Sequence, residues 1–275
     1  MAVSMADIKH LRESMGAGMM DCKKALEEAN GDFDEAVKIL RKKGQAAAAK
    51  REDRETSEGC VLAKTVDGYA AVLALKCETD FVANNANHIK MTQDILDLVV
   101  ENKCKSLEEV LALPMEGSTV ADKVAEYTGV CGEKTEVEGF GCVEGETVGC
   151  YTHFNRRLAT VVAFNQPGVD QEVVDNICMQ VASMNAIAVS PEEVPAEVLE
   201  REKEIAADKA RQEGKPENLI EKIAMGRINK FYKDVCLMNQ ELAMDENKQV
   251  VSKYLDSASK GLKVTSFHRF TLNAE

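Results

Sequence analysis

The sequence has no run of apolar residues long enough to cross a membrane, since a membrane-spanning helix needs about 20 of them. Its opening segment also lacks the basic and then apolar order of a signal peptide. We therefore expect a cytoplasmic protein without a membrane span. Acidic residues outnumber basic ones by 47 to 34, and the formal net charge is -13. Because such a surface repels phosphate backbones, we expect no direct binding to nucleic acid.

Cysteines at metal-binding spacing are also missing. The 9 cysteines include no Cys-x-x-Cys, and the 4 histidines are scattered along the chain. A structural zinc site usually shows paired ligands at short spacing, so we expect no metal ion. An odd number of cysteines is typical of free thiols in a reducing compartment. Since cysteine is among the most buried residue types, we expect most of these side chains to lie in the core.

Motifs of nucleotide-binding and acyl-transfer enzymes are absent. The sequence contains neither Gly-x-x-x-x-Gly-Lys-Ser/Thr nor Gly-x-Ser-x-Gly. Gly16-Ala-Gly18 lacks the preceding strand and the third glycine of a dinucleotide site, so we expect no cofactor. Cys150 and His153 could form a nucleophile and its base. Residues three apart on a strand face opposite sides, however, which favours a structural or interface role for this pair.

The pattern of apolar residues predicts an α+β fold with several small domains. Residues 1–44 show three short helical periodicities, and the third helix is predicted to close at Gly44. After a charged, alanine-rich linker, a hairpin with its turn at Asp67-Gly68 precedes a long helix, and a second hairpin between Thr135 and Phe164 precedes another. The predicted domains are a three-helix unit (1–44), a linker (45–58), a first core subdomain (59–134), a second core subdomain (135–194 and 235–275) and an inserted helical hairpin (195–234).

The inserted segment 195–234 predicts two antiparallel helices. Gly214-Lys-Pro216 interrupts the helical pattern, and a thin apolar stripe runs along each side of this break. Charged residues occupy most of the other positions, so we expect the hairpin to project into solvent or to meet a partner. Deletion of residues 196–233 is therefore expected to spare the folding of the core.

Thr79-Asp80-Phe81-Val82 lies where a strand gives way to a helix. One interpretation is a helix cap, with the Phe81 ring buried as a hydrophobic staple. The other is an exposed aromatic side chain beside a carboxylate, which suits insertion into a groove of a partner protein. The residues by themselves leave both interpretations open.

Longer segments around these residues resemble the elongation factor Ts family. Arg12-Glu-Ser-Met-Gly-Ala-Gly-Met-Met-Asp-Cys-Lys-Lys-Ala-Leu26 resembles its N-terminal signature, and Cys77-Glu-Thr-Asp-Phe-Val-Ala83 resembles its second signature. Tyr151-Thr-His153 and Gly226-Arg-Ile-Asn-Lys-Phe231 resemble later parts of the family's sequence. Together these segments cover nearly the whole chain in order.

The resemblance implies a ubiquitin-associated-like N-terminal domain, a core of two α/β subdomains with small antiparallel sheets, and a coiled-coil insertion. It implies that the chain binds elongation factor Tu, both GDP-bound and nucleotide-free, and promotes GDP release without bond-making chemistry. Asp80 and Phe81 would enter between two helices of the partner's nucleotide-binding domain and disturb its magnesium site. The partner-binding residues implied are Thr79, Asp80, Phe81, Val82, His153, Arg12, Met19, Met20 and Met244.

The chain also departs from the family pattern. Asn84 stands where many members have Lys or Arg, and Phe154 and Asn155 replace a Pro-Gly-like pair after His153. The segment 267–275 ends without the C-terminal helical module of some members, so we expect that module's contribution to be missing or replaced. An alternative function is a binding adaptor of the ubiquitin-associated type without exchange activity, which would use the loop 15–20. Homodimerisation stays open.

Overall fold

The computed structural model describes residues 3–245 and 247–273. The predicted three-helix unit (1–44) includes residues 1–2, and the predicted second core subdomain (135–194 and 235–275) includes residues 246 and 274–275. These residues lie outside the described ones. The helices are α1 Met5–Met15, α2 Met19–Glu28, α3 Phe33–Ala49, α4 Asp80–Ala83, α5 Ala86–Asn102, α6 Leu107–Ala112, α7 Val120–Cys131, α8 Gln171–Met184, α9 Ala196–Gln212, α10 Glu217–Val235 and α11 Val251–Ala258. The strands are β1 Glu58–Val66, β2 Tyr69–Cys77, β3 Pro114–Met115, β4 Ser118–Thr119, β5 Glu136–Glu144, β6 Thr147–Thr152, β7 Leu158–Phe164 and β8 Val264–Thr271. Helices and small antiparallel sheets confirm the α+β class.

Local capping signals start the first helices. The Ser4 hydroxyl accepts a hydrogen bond from the Asp7 N–H at 3.1 Å, while the Asp7 carboxylate accepts one from the Ser4 N–H, which completes a capping box. Asp32 caps α3 through the Glu35 N–H at 2.9 Å. The apolar faces of α1, α2 and α3 share one core, whose buried members are Ile8, Leu11, Ala17, Cys22, Ala25, Leu26, Ala29, Ala36 and Leu40. Three helices thus pack as one unit, whose likeness to a ubiquitin-associated domain stays a prediction.

Gly44 does not end the third helix, so that prediction is wrong. α3 continues to Ala49 and crosses α7 at this glycine. A Cβ atom on Gly44 would lie 2.9 Å from the Glu126 Cα, and one on Gly129 would lie 2.7 Å from the Gly44 Cα. Such distances are too short for any side chain, because backbone lies on both sides. The glycine therefore marks a close helix crossing, which joins the three-helix unit to the core.

Two three-stranded antiparallel sheets form the core, in the orders β1-β2-β5 and β6-β7-β8. The first hairpin is confirmed, since β1 and β2 pair from Glu58↔Cys77 to Val66↔Tyr69. The second is only partly correct: β6 pairs with β7, but β5 pairs with β2 in the first sheet. The predicted subdomain boundary at residue 135 thus separates β5 from the sheet in which it is hydrogen-bonded.

Glycine also allows the two sheets to approach each other. A Cβ atom on Gly139 or Gly141 of β5 would overlap the rings of Phe270 and His268 of β8. The core on one side of the sheets lies under α5, and its largest members include Tyr69, Leu73, Leu75, Ile95 and Leu96. A second core lies under α8 and α11 and includes Phe164, Ile177, Leu237 and Leu255. The buried cysteines are Cys22, Cys60, Cys77, Cys104, Cys178 and Cys236, which confirms that most of the thiols lie inside.

The inserted segment forms two helices, α9 and α10, that pack against each other. Their shared face consists of small and aliphatic side chains, namely Ala206, Ala210, Ile220, Ala224 and Ile228. Arg227 crosses between the helices, donating to the Ala206 carbonyl at 3.1 Å and to the Glu213 carboxylate at 2.8 Å. None of the helices within residues 3–245 and 247–273 is long and apolar enough to span a membrane.

Candidate partner-binding site

Residues 79–82, called the tip below, are the N-cap and the first three residues of the short helix α4, which follows the end of β2. The Thr79 hydroxyl accepts a hydrogen bond from the Val82 N–H at 3.5 Å, which is the predicted cap. The Phe81 side chain is 85% exposed, so the interpretation of Phe81 as a buried staple is wrong. A large apolar ring therefore stands in water next to the exposed Asp80.

Glu133 braces the tip from beneath. One of its carboxylate oxygens accepts a hydrogen bond from the Thr79 N–H at 3.0 Å, and the other accepts one from the Thr79 hydroxyl at 2.6 Å. Two bonds to one residue hold the first turn of α4 in a single orientation. Sequence reasoning missed Glu133, because it lies in a turn after α7, far from the tip along the chain and outside any motif.

Glu78 ties the base of the tip to the linker. Its carboxylate accepts a hydrogen bond from the Lys134 N–H at 2.6 Å and lies 3.1 Å from Arg54 and 3.5 Å from Arg51. The Lys134 N–H, ahead of the two guanidinium groups, holds the pKa of Glu78 below its ordinary value. Arg51 and Arg54, in the segment after α3, are therefore attached to the base of the tip by ion pairs with Glu78.

The loop 153–157, which joins β6 to β7, forms a second surface. The Tyr151 hydroxyl and the His153 Nδ1 lie 2.8 Å apart in a hydrogen bond, and the His153 N–H donates to the Leu158 carbonyl at 2.8 Å. The Arg156 N–H donates back to the His153 carbonyl at 2.8 Å, with Arg156 in the left-handed region at φ 54°. These bonds fix the loop and leave His153 half-buried.

The tip and the loop 153–157 lie at the same end of the two sheets. Glu58, at the start of β1, pairs in register with Cys77, and the tip follows two residues later. Arg157 forms an ion pair with the same Glu58, and the Val61 N–H donates to the Arg156 carbonyl at 2.8 Å. The fold thus brings two segments together that lie more than seventy residues apart in the sequence.

The other predicted residues lie elsewhere. Arg12 and Met20 are exposed on the three-helix unit, whereas Met19 is half-buried against that unit's own core. Met244 is exposed between α10 and α11, where it lines a groove with residues of α8 and α11, and no tip residue lines that groove. The structure therefore groups residues 79–82 with His153. Arg12, Met19 and Met20 lie on the three-helix unit, whose Ser14 and Gly16 line a groove with Asn87 of α5, and Met244 lies on another part of the surface.

Cys150 and His153 do not form an activated thiol pair. Burial raises the pKa of the Cys150 thiol, which suppresses the reactive thiolate. The His153 ring bonds to Tyr151 instead. This arrangement agrees with the structural or interface role that strand geometry favoured for the two residues.

His88 lies beneath the tip with an unsatisfied ring nitrogen. Its Nε2 bonds to the Leu75 carbonyl at 2.9 Å, while its Nδ1 has no hydrogen-bond partner among the described residues. The ring is fully buried and lies 5.8 Å from the Tyr127 ring. Burial lowers the pKa of His88, and it outweighs the bond to Leu75 and the negative charge of Glu133.

We expect this histidine to make the protein less stable in mild acid. Since burial makes the pKa of His88 lower in the folded than in the unfolded chain, folding releases part of a proton around and below about pH 6.5, and the free energy of unfolding falls as the pH falls there, by at most about 1.4 kcal/mol per pH unit. Urea unfolding between about pH 7.5 and 5.5 measures this slope. His88→Phe should make this slope shallower, by at most one proton, while His268, whose pKa burial also lowers, keeps its own contribution. An identical slope in both proteins would contradict the assignment.

An exposed aromatic side chain on a rigid turn is typical of a protein–protein binding surface. The family model described as Elongation factor TS matches residues 78–274. The elongation factor Ts of Porphyromonas gingivalis is 49% identical to this chain, that of Bacteroides fragilis is 47% identical and that of Azobacteroides pseudotrichonymphae is 42% identical, each over the full length of both chains. The chain belongs to the elongation factor Ts family.

Proposed function

We propose that this chain binds elongation factor Tu in the cytoplasm and accelerates release of its GDP, as a nucleotide exchange factor without bond-making chemistry. Membership of the elongation factor Ts family supports the partner and the activity. The observation that carries the mechanism is the 85% exposure of Phe81 on the braced tip. Such a ring has no role in its own core and is free to enter another protein.

In this mechanism the tip enters between two helices of the partner's nucleotide-binding domain and disturbs its magnesium site. A wedge acts only if it is stiffer than the groove that it opens. Glu133 and Glu78 supply that stiffness through their bonds to Thr79 and Lys134. Asp80 adds negative charge, which repels a phosphate and attracts its magnesium ion.

The tip is one part of a larger contact. By linkage, a factor that weakens GDP binding about 10⁴-fold must bind the nucleotide-free partner about 5.5 kcal/mol more tightly than the GDP-bound one. Burial of one phenylalanine contributes about 1.5 to 3 kcal/mol. The remaining free energy requires further contacts, and we assign it to the other tip residues Thr79 and Val82 and to His153, Arg12, Met19, Met20 and Met244.

A fluorescent-GDP release assay tests the activity. Elongation factor Tu loaded with labelled GDP is mixed with excess unlabelled GDP and increasing amounts of this chain. We expect the release rate to rise with its concentration and then to saturate, because release then occurs within the complex. Binding without acceleration would favour the adaptor function, for which the exposed Met20 of the three-helix unit would be the contact.

The helical hairpin has a separable role. At its base, Val198, Leu199, Phe231 and Tyr232 pack against Ala188, Val194 and Cys236 of the core. Deletion of residues 196–233 would remove these contacts. The variant to test therefore keeps the base of the hairpin and replaces only residues 201–229 by a short Gly-Ser linker. We expect this shortened chain to keep the thermal midpoint of the core and to change partner affinity or turnover. Loss of the cooperative unfolding transition would contradict a projecting hairpin.

A further inference from the structure

The loop 153–157 exposes a second large aromatic ring, which neither the tip mechanism nor the core explains. The Phe154 side chain is 83% exposed, nearly as much as that of Phe81. On its own protein it touches the neighbouring His153 ring, with 4.5 Å between ring centres and 55° between ring planes. An exposed phenylalanine keeps its apolar surface in water, so burial in a complex would stabilise that complex.

The loop is built to hold this ring in place. The chain folds back on itself through the Arg156 N–H and the His153 carbonyl, and the Asn155 side chain accepts a hydrogen bond from the Arg157 N–H at 3.0 Å. Arg157 is in turn held by Glu58. Because these bonds already order the backbone, binding through Phe154 loses little conformational entropy.

We propose that Phe154 is a second aromatic anchor, which inserts into an apolar recess on the same partner that the tip enters. The proposal rests on the proposed function. The loop 153–157 adjoins the tip, because Glu58 forms an ion pair with Arg157 on the loop and pairs in the sheet with Cys77, two residues before the tip. A partner that covers the tip therefore also covers the end of the sheets where Phe154 lies.

The two rings have different effects on exchange. Phe81 works by opening the nucleotide site, so its contribution appears in the release rate within the complex. In this proposal the Phe154 ring contacts the partner in both nucleotide states, and the loop's share of the differential binding is assigned to the neighbouring His153. A contact that stabilises the complex equally before and after the nucleotide site opens lowers the concentration of factor needed for half-maximal release. It does not change the maximal release rate.

The test compares Phe154→Ala with the full-length wild type in the fluorescent-GDP assay and in direct titration of nucleotide-free elongation factor Tu. We expect the half-saturating concentration and the Kd to rise about tenfold, with the maximal release rate unchanged. Val66→Ala, which shortens an exposed side chain at the opposite end of β1, is the matched control and should change neither value. The thermal midpoint of Phe154→Ala should equal that of the wild type, because the Phe154 ring is 83% exposed, whereas Val66→Ala, at a side chain that is 36% exposed, should lower it only slightly.

Each other outcome overturns the proposal. An unchanged Kd for Phe154→Ala would show that the ring stays in solvent, and a reduced maximal rate with an unchanged Kd would place it in the opening step. Loss of self-association in sedimentation, with partner affinity intact, would assign the ring to a second copy of this chain. Failure of the proposed function is distinguishable, since the wild type itself would then not accelerate release.

Discussion

Phe81→Ala should lower the maximal rate of GDP release by about 10- to 100-fold, while the chain stays folded. In the proposed mechanism the ring contributes about 1.5 to 3 kcal/mol when it is buried in the opened partner, and truncation to alanine removes that differential stabilisation. Because the ring is exposed in the free chain, its removal leaves no cavity in the chain's own core. Stopped-flow release of fluorescent GDP at saturating factor measures the effect.

Two further variants separate the parts of the tip. Phe81→Leu keeps an apolar side chain and should retain a larger fraction of the rate than alanine, whereas Asp80→Asn removes only the charge beside the ring. Circular dichroism and the thermal midpoint of all three variants should match the wild type. Equal release rates for Phe81→Ala and wild type at saturation would disprove the wedge.

Gly44→Ala should destabilise the attachment of the three-helix unit by about 1 to 3 kcal/mol, although alanine favours a helix. The added methyl group would lie 2.9 Å from the Glu126 Cα and 3.2 Å from the Glu126 carbonyl oxygen, and neither can move without shifting α7. An ion pair between Arg41 of α3 and Glu126 of α7 at 3.1 Å spans the same crossing, while Lys123, 3.3 Å from Glu126, pairs with it within α7. Moving the helices apart would leave the Glu126 carboxylate with poorer partners.

Gly226→Ala is the matched control for this substitution. Gly226 also lies within a helix, α10, but nothing stands within 4 Å of its missing Cβ. Alanine there should stabilise the chain by about 0.5 to 1 kcal/mol, through helix propensity alone. Urea unfolding of both variants, with limited proteolysis of the segment after α3, measures the difference. Stabilisation of similar size in both would mean that α3 and α7 are not tightly packed.

The proposed mechanism depends on the position of the three-helix unit. Under the proposed mechanism, Arg12 and Met20 meet the partner only if α3 holds the unit at a set place on the core. We therefore expect Gly44→Ala to weaken partner binding as well as stability, and Gly226→Ala to weaken neither. Binding titrations with elongation factor Tu provide this comparison.

Much of the candidate site was predictable from short segments. The strand–turn–helix pattern around Thr79 indicates a capped helix start, and the two signatures indicate the family. Whether the Phe81 ring is buried or exposed was not predictable from the pattern, because a hydrophobic staple and a partner wedge have the same local sequence. Glu133 was missed for a related reason: a single carboxylate in a turn carries no periodicity.

The sequence alone determined the α+β class, the first hairpin, most helix starts and the family, because caps, turn residues and apolar periodicity act over a few neighbouring residues. Only the tertiary structure decided that β5 joins β2, that Gly44 is a crossing rather than a helix end, and that Phe81 and Phe154 share one end of the sheets. These features depend on contacts between segments distant in the chain. Strand partners, helix crossings and exposure follow from how the whole chain fills its core, and local preferences do not encode them.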